Sequence, residues 1–529
     1  MELILNLLIY LPVMGALAML LLPMIFGKEG AALKYRWIAL IVTSTQLLLA
    51  GYFYYFLFDP SIQLNSPDSP YNSYTWIEHF NISYYIGVDG LSMPMILLTA
   101  LLSFLCIIYS WNESKRPLGY FSLFLLLDAG MMGVFMALDF FLFYIFWEVM
   151  LLPMYFLIGM WGGPQRKYAA IKFFLYTLFG SVFLLLGMIT IYNYLPEGYQ
   201  TFNLISLIKL EAIPDTALIW GYSVKTVIWM FLFIGFAIKV PIFPFHTWLP
   251  LAHVEAPTSI SVILAGVLLK MGTYGFLRIS YPLLPEQLAL SGFAVMIAAL
   301  AVINIIWGAL NAIAQIDLKK MVAYSSISHM GYCMLGMAAI ISDSDAGRIA
   351  GMNGAVMQMF NHGTITAMLF FLVGYIYDRA HHRWIVYPND YKDPNLAGKN
   401  GFGGIASVMP VYSGFVALAF FAGLGLPALS GFISEAMCFI GGFSVDKLKL
   451  ITAIGTLGIL FNAIYFLRAY QRMFMGPTND MYLGLKDVTT REVAILIPLT
   501  FLIILFGVYP QPLIDIISNT MSTIIGFTL

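Results

Sequence analysis

FIGFAIKVPIFPFHTWLP, residues 233–250, places a lysine and two prolines inside a run of apolar side chains. Pro241 and Pro244 each lack a backbone N–H donor, so a helix that reaches them is interrupted. Lys239 lies just before the interruption. An ionisable group at membrane depth costs at least about 2.5 kcal/mol unless a partner or water stabilises it. The stretch therefore predicts a broken membrane helix with a buried charge at the break.

The composition of the whole chain agrees with a membrane environment. Apolar residues make up 60% of the 529 residues and charged residues only 10%, whereas a soluble domain is about one quarter charged. Apolar runs of about 20 residues recur along the chain, and each is long enough to cross the hydrocarbon core as a helix. The first run, Leu3 to Phe26, lacks the preceding basic stretch of a signal peptide and is predicted to be a retained helix.

We predict an all-α integral membrane protein with about fourteen transmembrane helices. Lysine and arginine are retained in cytoplasmic loops, and sixteen of them fall at one set of alternate loops against six at the other. This asymmetry predicts that both termini lie on the outer side. The predicted spans are 3–26, 37–58, 90–111, 118–138, 140–161, 169–194, 224–250, 258–280, 287–309, 321–341, 351–377, 405–440, 451–474 and 493–515.

The twelfth span resembles the seventh in being interrupted. Its middle, AGLGLPALSG at 422–431, combines glycines with Pro427, and we expect a break there. The two breaks are five helices apart, which predicts two five-helix repeats of opposite orientation, as in many transporters. The simpler alternative is that proline and glycine are common in membrane helices in general. The predicted segments are 1–117 (helices 1–3), 118–280 (first repeat), 281–474 (second repeat) and 475–529 (C-terminal loop and helix 14).

Several ionisable residues fall inside these predicted spans. By residue count, all but Glu435 lie close to the membrane midplane, and Glu435 follows the second break. Burial shifts the pKa of lysine and of glutamate towards neutral pH. The pKa of histidine is near neutral pH without burial. A proton relay is therefore the predicted role, although any one of these residues alone could be structural. The candidates are Glu148, Lys239, Lys270, His329, His362 and Glu435.

Glu148 and Lys239 are predicted to lie within salt-bridge or one-water reach, because an isolated charge at the midplane is costly. Asp128, at depth in span 4, is the alternative partner. Lys172 is expected to extend towards the membrane surface. His246, His253 and Glu255 crowd one end of span 7, where they either form a proton entry or cap the turn to span 8.

Other function classes find no support in the sequence. Cys106, Cys333 and Cys438 are far apart and have no metal-binding or iron–sulfur spacing. The glycine-rich nucleotide motifs and the H-E-x-x-H zinc motif are absent from the sequence. A net charge of −1 without a basic cluster makes a nucleic-acid partner improbable.

Long motifs in this chain resemble those of the antiporter-like, proton-pumping subunits of complex I, NADH:quinone oxidoreductase, the group that includes subunit M (chain 4). The resemblance extends over nearly the whole chain. The stretches that carry it are Gly87 to Pro94, Phe146 to Gly163, Lys239 to Pro250, His253 to Thr258, Ala265 to Arg278, Tyr324 to Gly331 and Asn361 to Gly363.

The resemblance implies a membrane-arm subunit with fourteen helices and discontinuous helices 7 and 12. It implies that Glu148 and Lys239 are the essential pair and Lys270 the central lysine. By the same comparison, His329 and His362 are the connecting relay and Glu435 the outlet acid, although the wording of the motif around Glu435 departs from the family pattern.

The resemblance also implies that quinone, flavin and iron–sulfur clusters belong to partner subunits, with no redox chemistry in this chain. The expected partners are other membrane-arm subunits, lipid and protons. The expected location is an energy-transducing membrane, either the bacterial inner membrane or a thylakoid membrane. Two alternatives remain: a subunit of a multisubunit sodium/proton antiporter, and a passive membrane scaffold.

Overall fold

The structure is a computed structural model, which describes residues 1–62, 64, 69–210, 213, 217–290, 292–389 and 397–526, without the side chains of residues 24–32, 210, 289 and 290. The described chain is almost entirely helical. Its strands form two short antiparallel hairpins, β1 (Ser73–Ile77) with β2 (Ile82–Tyr85) and β3 (Leu218–Ile219) with β4 (Tyr222–Ser223).

Helices in the N-terminal part of the described chain are α1 (Glu2–Phe56), α2 (Ser92–Tyr109), α3 (Pro117–Met136), α4 (Phe140–Val149), α5 (Leu151–Trp161), α6 (Arg166–Tyr194), α7 (Leu204–Leu210), α8 (Val224–Lys239), α9 (Trp248–Glu255), α10 (Thr258–Ile263), α11 (Leu269–Gly275) and α12 (Tyr281–Leu283). Two π-helical segments, Leu264–Leu268 and Phe276–Ser280, join α10, α11 and α12 into one span.

The remaining helices are α13 (Pro285–Leu290), α14 (Phe293–Ala314), α15 (Leu318–Ala338), α16 (Asp345–Ala380), α17 (Ile405–Val408), α18 (Pro410–Gly423), α19 (Ser430–Phe443), α20 (Lys449–Gly455), α21 (Leu457–Phe474), α22 (Thr490–Val508) and α23 (Gln511–Gly526). Short 3₁₀ turns occur at Glu78–Phe80, Ser110–Asn112, Ala339–Ile341, Asp446–Leu448 and Asp480–Tyr482.

Eleven helical segments of the described chain are long and apolar enough to cross a membrane. They correspond to every predicted span except 7, 10 and 12. Span 10 falls on α15, which is 21 residues long but contains several serines and His329. Spans 7 and 12 are each divided, the former into α8 and α9 and the latter into α18 and α19. The predicted interruptions near Pro241 and Pro427 are thus confirmed, while the count of fourteen crossings stays a prediction.

The chain forms two compact units. Unit 1 comprises Met1–Pro241, Val267–Met296 and Ile514–Leu529, and unit 2 comprises Ile242–Gly266 and Ile297–Leu513. In unit 1, α1 packs against α2 and α3, and α8 packs against α6 and α11. In unit 2, α16 is the central helix, in contact with α15, α18, α19 and α22. The inverted repeats and their boundaries stay a prediction.

Candidate functional site

Helix α4 carries Glu148, and Asp139 fixes where that helix begins. One Asp139 carboxylate oxygen accepts hydrogen bonds from the backbone N–H groups of Phe141 and Leu142 at 2.9 and 3.2 Å. The other accepts from the backbone N–H of Ser83 at 3.0 Å. A cap of this kind pairs donors that the first turn of a helix leaves unsatisfied. Glu148 then follows roughly two and a half turns later.

Lys239 is the last residue of α8 and is only 2% exposed. Its Nζ atom lies 5.0 Å from the centre of the Trp147 ring, an arrangement in which the indole attracts the cation. The Trp147 ring is held in turn by a hydrogen bond from its Nε1 to Ser181 Oγ at 3.2 Å. Apart from its position next to Glu148, no sequence pattern indicates this role of Trp147.

The charges of Glu148 and Lys239 interact through space. Within the described part of the chain, neither Lys239 Nζ nor Glu148 Oε1 has a hydrogen-bond partner. The two side chains are therefore not joined by a direct hydrogen bond, and their lying within salt-bridge or one-water reach stays a prediction. Glu148 is half-buried and also interacts with Tyr144, one turn earlier on α4.

Lys270 lies on α11 and is completely buried. The π-helical segments on either side of α11 widen the backbone there, a feature that is frequent at functional sites. Close approach of α11 to the end of α8 depends on Gly272, where a Cβ atom would come within 3.0 Å of Val240 and of the Phe236 carbonyl. This packing places the segment that carries Lys270 against the end of the helix that carries Lys239.

In unit 2, helices α15, α16 and α19 bring three predicted residues together. His329 Nδ1 lies 3.1 Å from Glu435 Oε1, and both side chains are buried. The ring centres of His329 and His362 are 5.4 Å apart. The family resemblance implied a different role for Glu435, the outlet acid, than for the two histidines, the connecting relay. In the structure all three residues form one cluster.

Neutral polar side chains surround this cluster. Ser434 Oγ donates to Gln358 Oε1 at 2.5 Å. Asn361 Nδ2 donates to Ser434 Oγ at 3.2 Å and to the Ser430 carbonyl at 2.8 Å. These bonds hold α19 to α16 directly beside the break in span 12. Gln358 had no distinguishing signal in the sequence, because an isolated glutamine inside an apolar span carries no motif.

The break between α18 and α19 depends on Gly425. Its φ of +80° is unfavourable for any residue with a side chain, and a Cβ atom there would lie 3.0 Å from Glu435 Oε2. Gly425 thus allows both the turn and the close approach of the backbone to the Glu435 carboxylate. The interruption and the acid are parts of one site.

The end of α9 is capped by two cations from unit 2. Lys319 Nζ donates to the Ala256 carbonyl, and Arg383 Nη1 donates to the Val254 carbonyl at 3.3 Å. Arg383 Nε is also 3.1 Å from Asp317 Oδ2. Positive charges stabilise the carbonyl end of a helix. Lys319 and Arg383 thus form this cap, and whether His246, His253 and Glu255 cap the turn to span 8 stays a prediction.

Lys319 was counted from the sequence only as a loop charge, yet it is 4% exposed. It interacts electrostatically with Glu255. His246, at the start of the same region, accepts a hydrogen bond at Nε2 from Trp307 Nε1 at 3.1 Å. Whether His246, His253 and Glu255 also admit protons stays a prediction.

Asp128 does not join the Glu148–Lys239 pair. Its Oδ1 accepts a hydrogen bond from Ser103 Oγ at 2.6 Å, with both residues completely buried. Asp128 thus links α3 to α2. Lys172 is half-buried on α6, with Nζ 5.8 Å from the Tyr176 ring centre, and its extension towards the membrane surface stays a prediction.

Buried ionisable side chains beside two interrupted helices define a class of protein, the multi-pass membrane proteins that translocate ions, because irregular backbone at membrane depth is tolerated where it serves a transport path. The chain belongs to the NADH:quinone oxidoreductase/Mrp antiporter transmembrane family, whose model matches residues 137–461. The family resemblance inferred from the motifs is confirmed.

Relatives match along nearly the full length. The chain is 38% identical to NADH-quinone oxidoreductase subunit M of Rickettsia conorii over 525 residues, 99% of this chain and 98% of that protein. It is 37% identical to NADH-ubiquinone oxidoreductase chain 4 of Chondrus crispus, over 95% of this chain and 94% of that protein. A chain of respiratory complex I from Thermus thermophilus shares the fold, with a TM-score of 0.82, 26% identity and coverage of 99% and 100%.

Proposed function

We propose that the chain is a proton-translocating membrane-arm subunit of a complex I-type NAD(P)H or ferredoxin:quinone oxidoreductase. The observation that carries the proposal is the presence of two clusters of buried ionisable side chains, one around Lys239 and one around Glu435, each beside an interrupted helix. The full-length relatives of the chain are named as subunits of this oxidoreductase. A passive scaffold would need no such groups, because each costs free energy to bury.

The cluster around Lys239 and the cluster around Glu435 differ in their chemistry. Lys239 lacks a hydrogen-bond acceptor in the described structure, so its charge depends on Trp147 and on Glu148. Movement of Glu148 away from Lys239 would lower the free energy of releasing the lysine proton. Lys270, on the adjacent helix, is the proposed receiver. In unit 2, His329, His362 and Glu435 would carry the proton onward, since imidazole both accepts and donates.

The rest of the predicted context belongs to this proposal. Flavin, iron–sulfur clusters and quinone are held by partner subunits, and the chain lies in an energy-transducing membrane with both termini outside. The segments 118–280 and 281–474 are the two inverted repeats. The proposed partners of the chain are other antiporter-like and membrane-arm subunits.

The second candidate is a subunit of a multisubunit sodium/proton antiporter, since the matching family covers both kinds of protein. The subunits that co-purify with the chain separate the two. A flavin- and iron–sulfur-containing arm supports the oxidoreductase, whereas a complex without redox cofactors that exchanges sodium for protons supports the antiporter.

The test of the relay is Lys270→Ala in the assembled complex, reconstituted into liposomes. We expect proton pumping to be abolished or strongly reduced while the complex still assembles, because the substitution removes a proton carrier but little packing. Lys320→Ala is the matched control, since Lys320 is an exposed lysine, and it should pump as the wild type does. Normal pumping by an assembled Lys270→Ala complex would refute the assignment.

A further inference from the structure

A second group of buried charges lies in unit 1, on the same span as Lys270 but about two helical turns further on. Arg278 and Asp89 form a salt bridge, with side chains 7% and 5% exposed. Asp89 Oδ1 also accepts hydrogen bonds from the backbone N–H groups of Leu91 and Ser92, each at 3.1 Å. The carboxylate is therefore fixed at the start of α2. The proposed relay makes no use of this pair.

Arg278 also donates hydrogen bonds to two hydroxyl groups. Arg278 Nε donates to Tyr274 Oη at 3.1 Å, and Arg278 Nη2 donates to Ser92 Oγ at 3.2 Å. Tyr274 Oη donates its single proton to the Phe135 carbonyl at 3.0 Å. Ser92 Oγ, 3.1 Å from Tyr274 Oη, must then be the donor to Tyr274. Both hydroxyls thus accept a hydrogen bond from Arg278, and the Tyr274 proton is directed to the Phe135 carbonyl.

A cavity of about 40 Å³ adjoins this Asp89–Arg278 cluster, which we define as Asp89, Ser92, Tyr274 and Arg278. The polar part of its lining is Asp89 and Arg278 with Thr520 and Thr523 of α23, and the rest of the lining is apolar. Its volume is sufficient for a water molecule. Thr520 Oγ1 accepts a hydrogen bond from the Gly90 N–H at 2.9 Å. Helix α23 therefore closes the same side of the cluster.

Tyr274 is one helical turn from Lys270 and bonded to Ser92. Arg278 contacts both hydroxyls and also lines the cavity, so it occupies the position between the hydroxyls and the cavity. Hydroxyl groups pass protons by accepting one and donating another. Arg278 cannot do so, because a guanidinium has donors only and keeps its charge. Its fixed positive charge also repels cations, as arginines do in channels that exclude protons.

We propose that Arg278, held by Asp89, seals unit 1 against proton leakage from the Lys270 segment to this cavity. The proposal rests on the proposed function, because a seal matters only where Lys270 carries protons. Asp89 acts as a positioning residue, because it keeps the guanidinium in place, and the Tyr274 hydroxyl belongs to the path that Arg278 blocks.

The test is passive proton entry into liposomes that contain the complete complex, driven by an imposed membrane potential with no NADH present. Arg278→Gln is expected to raise the leak several-fold, since glutamine is uncharged and offers an acceptor. Arg278→Lys keeps the charge and should stay close to the wild type. Arg379→Gln is the matched control: it breaks another arginine–carboxylate pair, with Glu492 in unit 2, whose side chains are 13% and 11% exposed, and it should not leak.

Arg278→Gln leaves Asp89 buried without its partner and therefore risks misfolding. The double variant Asp89→Asn/Arg278→Gln replaces the ion pair by a neutral amide pair and should leak as well. Tyr274→Phe removes a hydroxyl but keeps Arg278, so it should remain tight. An assembled neutral variant as tight as the wild type, or a leaking Tyr274→Phe complex, would overturn the seal. Since no turnover is involved, the outcome is independent of whether Lys270→Ala pumps.

Discussion

Lys239 and Glu435 both lie beside an interruption in a membrane span, but their surroundings differ. Lys239 is buried at the end of α8 with an aromatic ring 5.0 Å away and no hydrogen-bond acceptor in the described chain. Glu435 forms a 3.1 Å pair with His329. The first charge is held by long-range attraction and the second by direct contact.

This difference indicates different tasks. A charge without hydrogen bonds changes its proton affinity when a neighbouring charge moves by a few ångströms, because the Coulomb energy changes with distance in a medium of low dielectric constant. A closed pair changes little until it breaks. We infer that the Lys239 site responds to conformational change, and that the Glu435 site holds a proton until its pair opens.

Among the variants that test this comparison, Glu148→Gln is expected to have the largest effect, because it removes the through-space charge opposite Lys239. Proton pumping should fall roughly tenfold or more, equivalent to about 1.4 kcal/mol. Glu148→Asp should keep part of the activity, because it retains the charge with a shorter reach. Both are measured as proton uptake by liposomes that contain the assembled complex. Equal activity of Glu148→Gln and the wild type would remove the proposed switch.

Glu435→Gln is expected to have an intermediate effect. The amide can still bond to His329 but cannot take up or release a proton, so we expect the pumping rate to fall roughly fivefold, equivalent to about 1 kcal/mol. Glu286→Gln is the control, because Glu286 pairs with Lys225 and its side chain is 54% exposed. If Glu435→Gln reduced pumping more than Glu148→Gln, the comparison between the two sites would be reversed.

Trp147→Phe should have a smaller effect. Phenylalanine attracts a cation less strongly than tryptophan, and the whole interaction contributes about 0.5–2 kcal/mol, so we expect pumping to fall about two- to threefold. Trp220→Phe, at a tryptophan that is 81% exposed, controls for the loss of an indole. Unchanged pumping by Trp147→Phe would show that the ring only fills space.

Asp128→Asn should have the smallest effect, with pumping within about twofold of the wild type. Asparagine keeps an oxygen that can accept the Ser103 hydrogen bond, and Asp128 is not part of the Lys239 site in the structure. A loss comparable to that of Glu148→Gln would restore Asp128 as the partner of Lys239.

The sequence alone determined that the chain is a membrane protein and where both interruptions lie, and it predicted the depth of the ionisable residues. Each of these depends on short-range properties: hydropathy over about 20 residues, the missing N–H of Pro241, and the conformational freedom of glycines near Pro427. Such properties act within one helix, so they can be inferred before any helix is placed against another.

Only the tertiary structure decided which groups meet. His329 and Glu435 are 106 residues apart, Asp128 bonds to Ser103 on another helix, and Lys319 is buried against the carbonyl end of α9. Sequence patterns specify the face and depth of a side chain but not the helix that faces it. Hydrogen bonds and ion pairs act over about 3 Å, so partners are fixed only once the helices have packed.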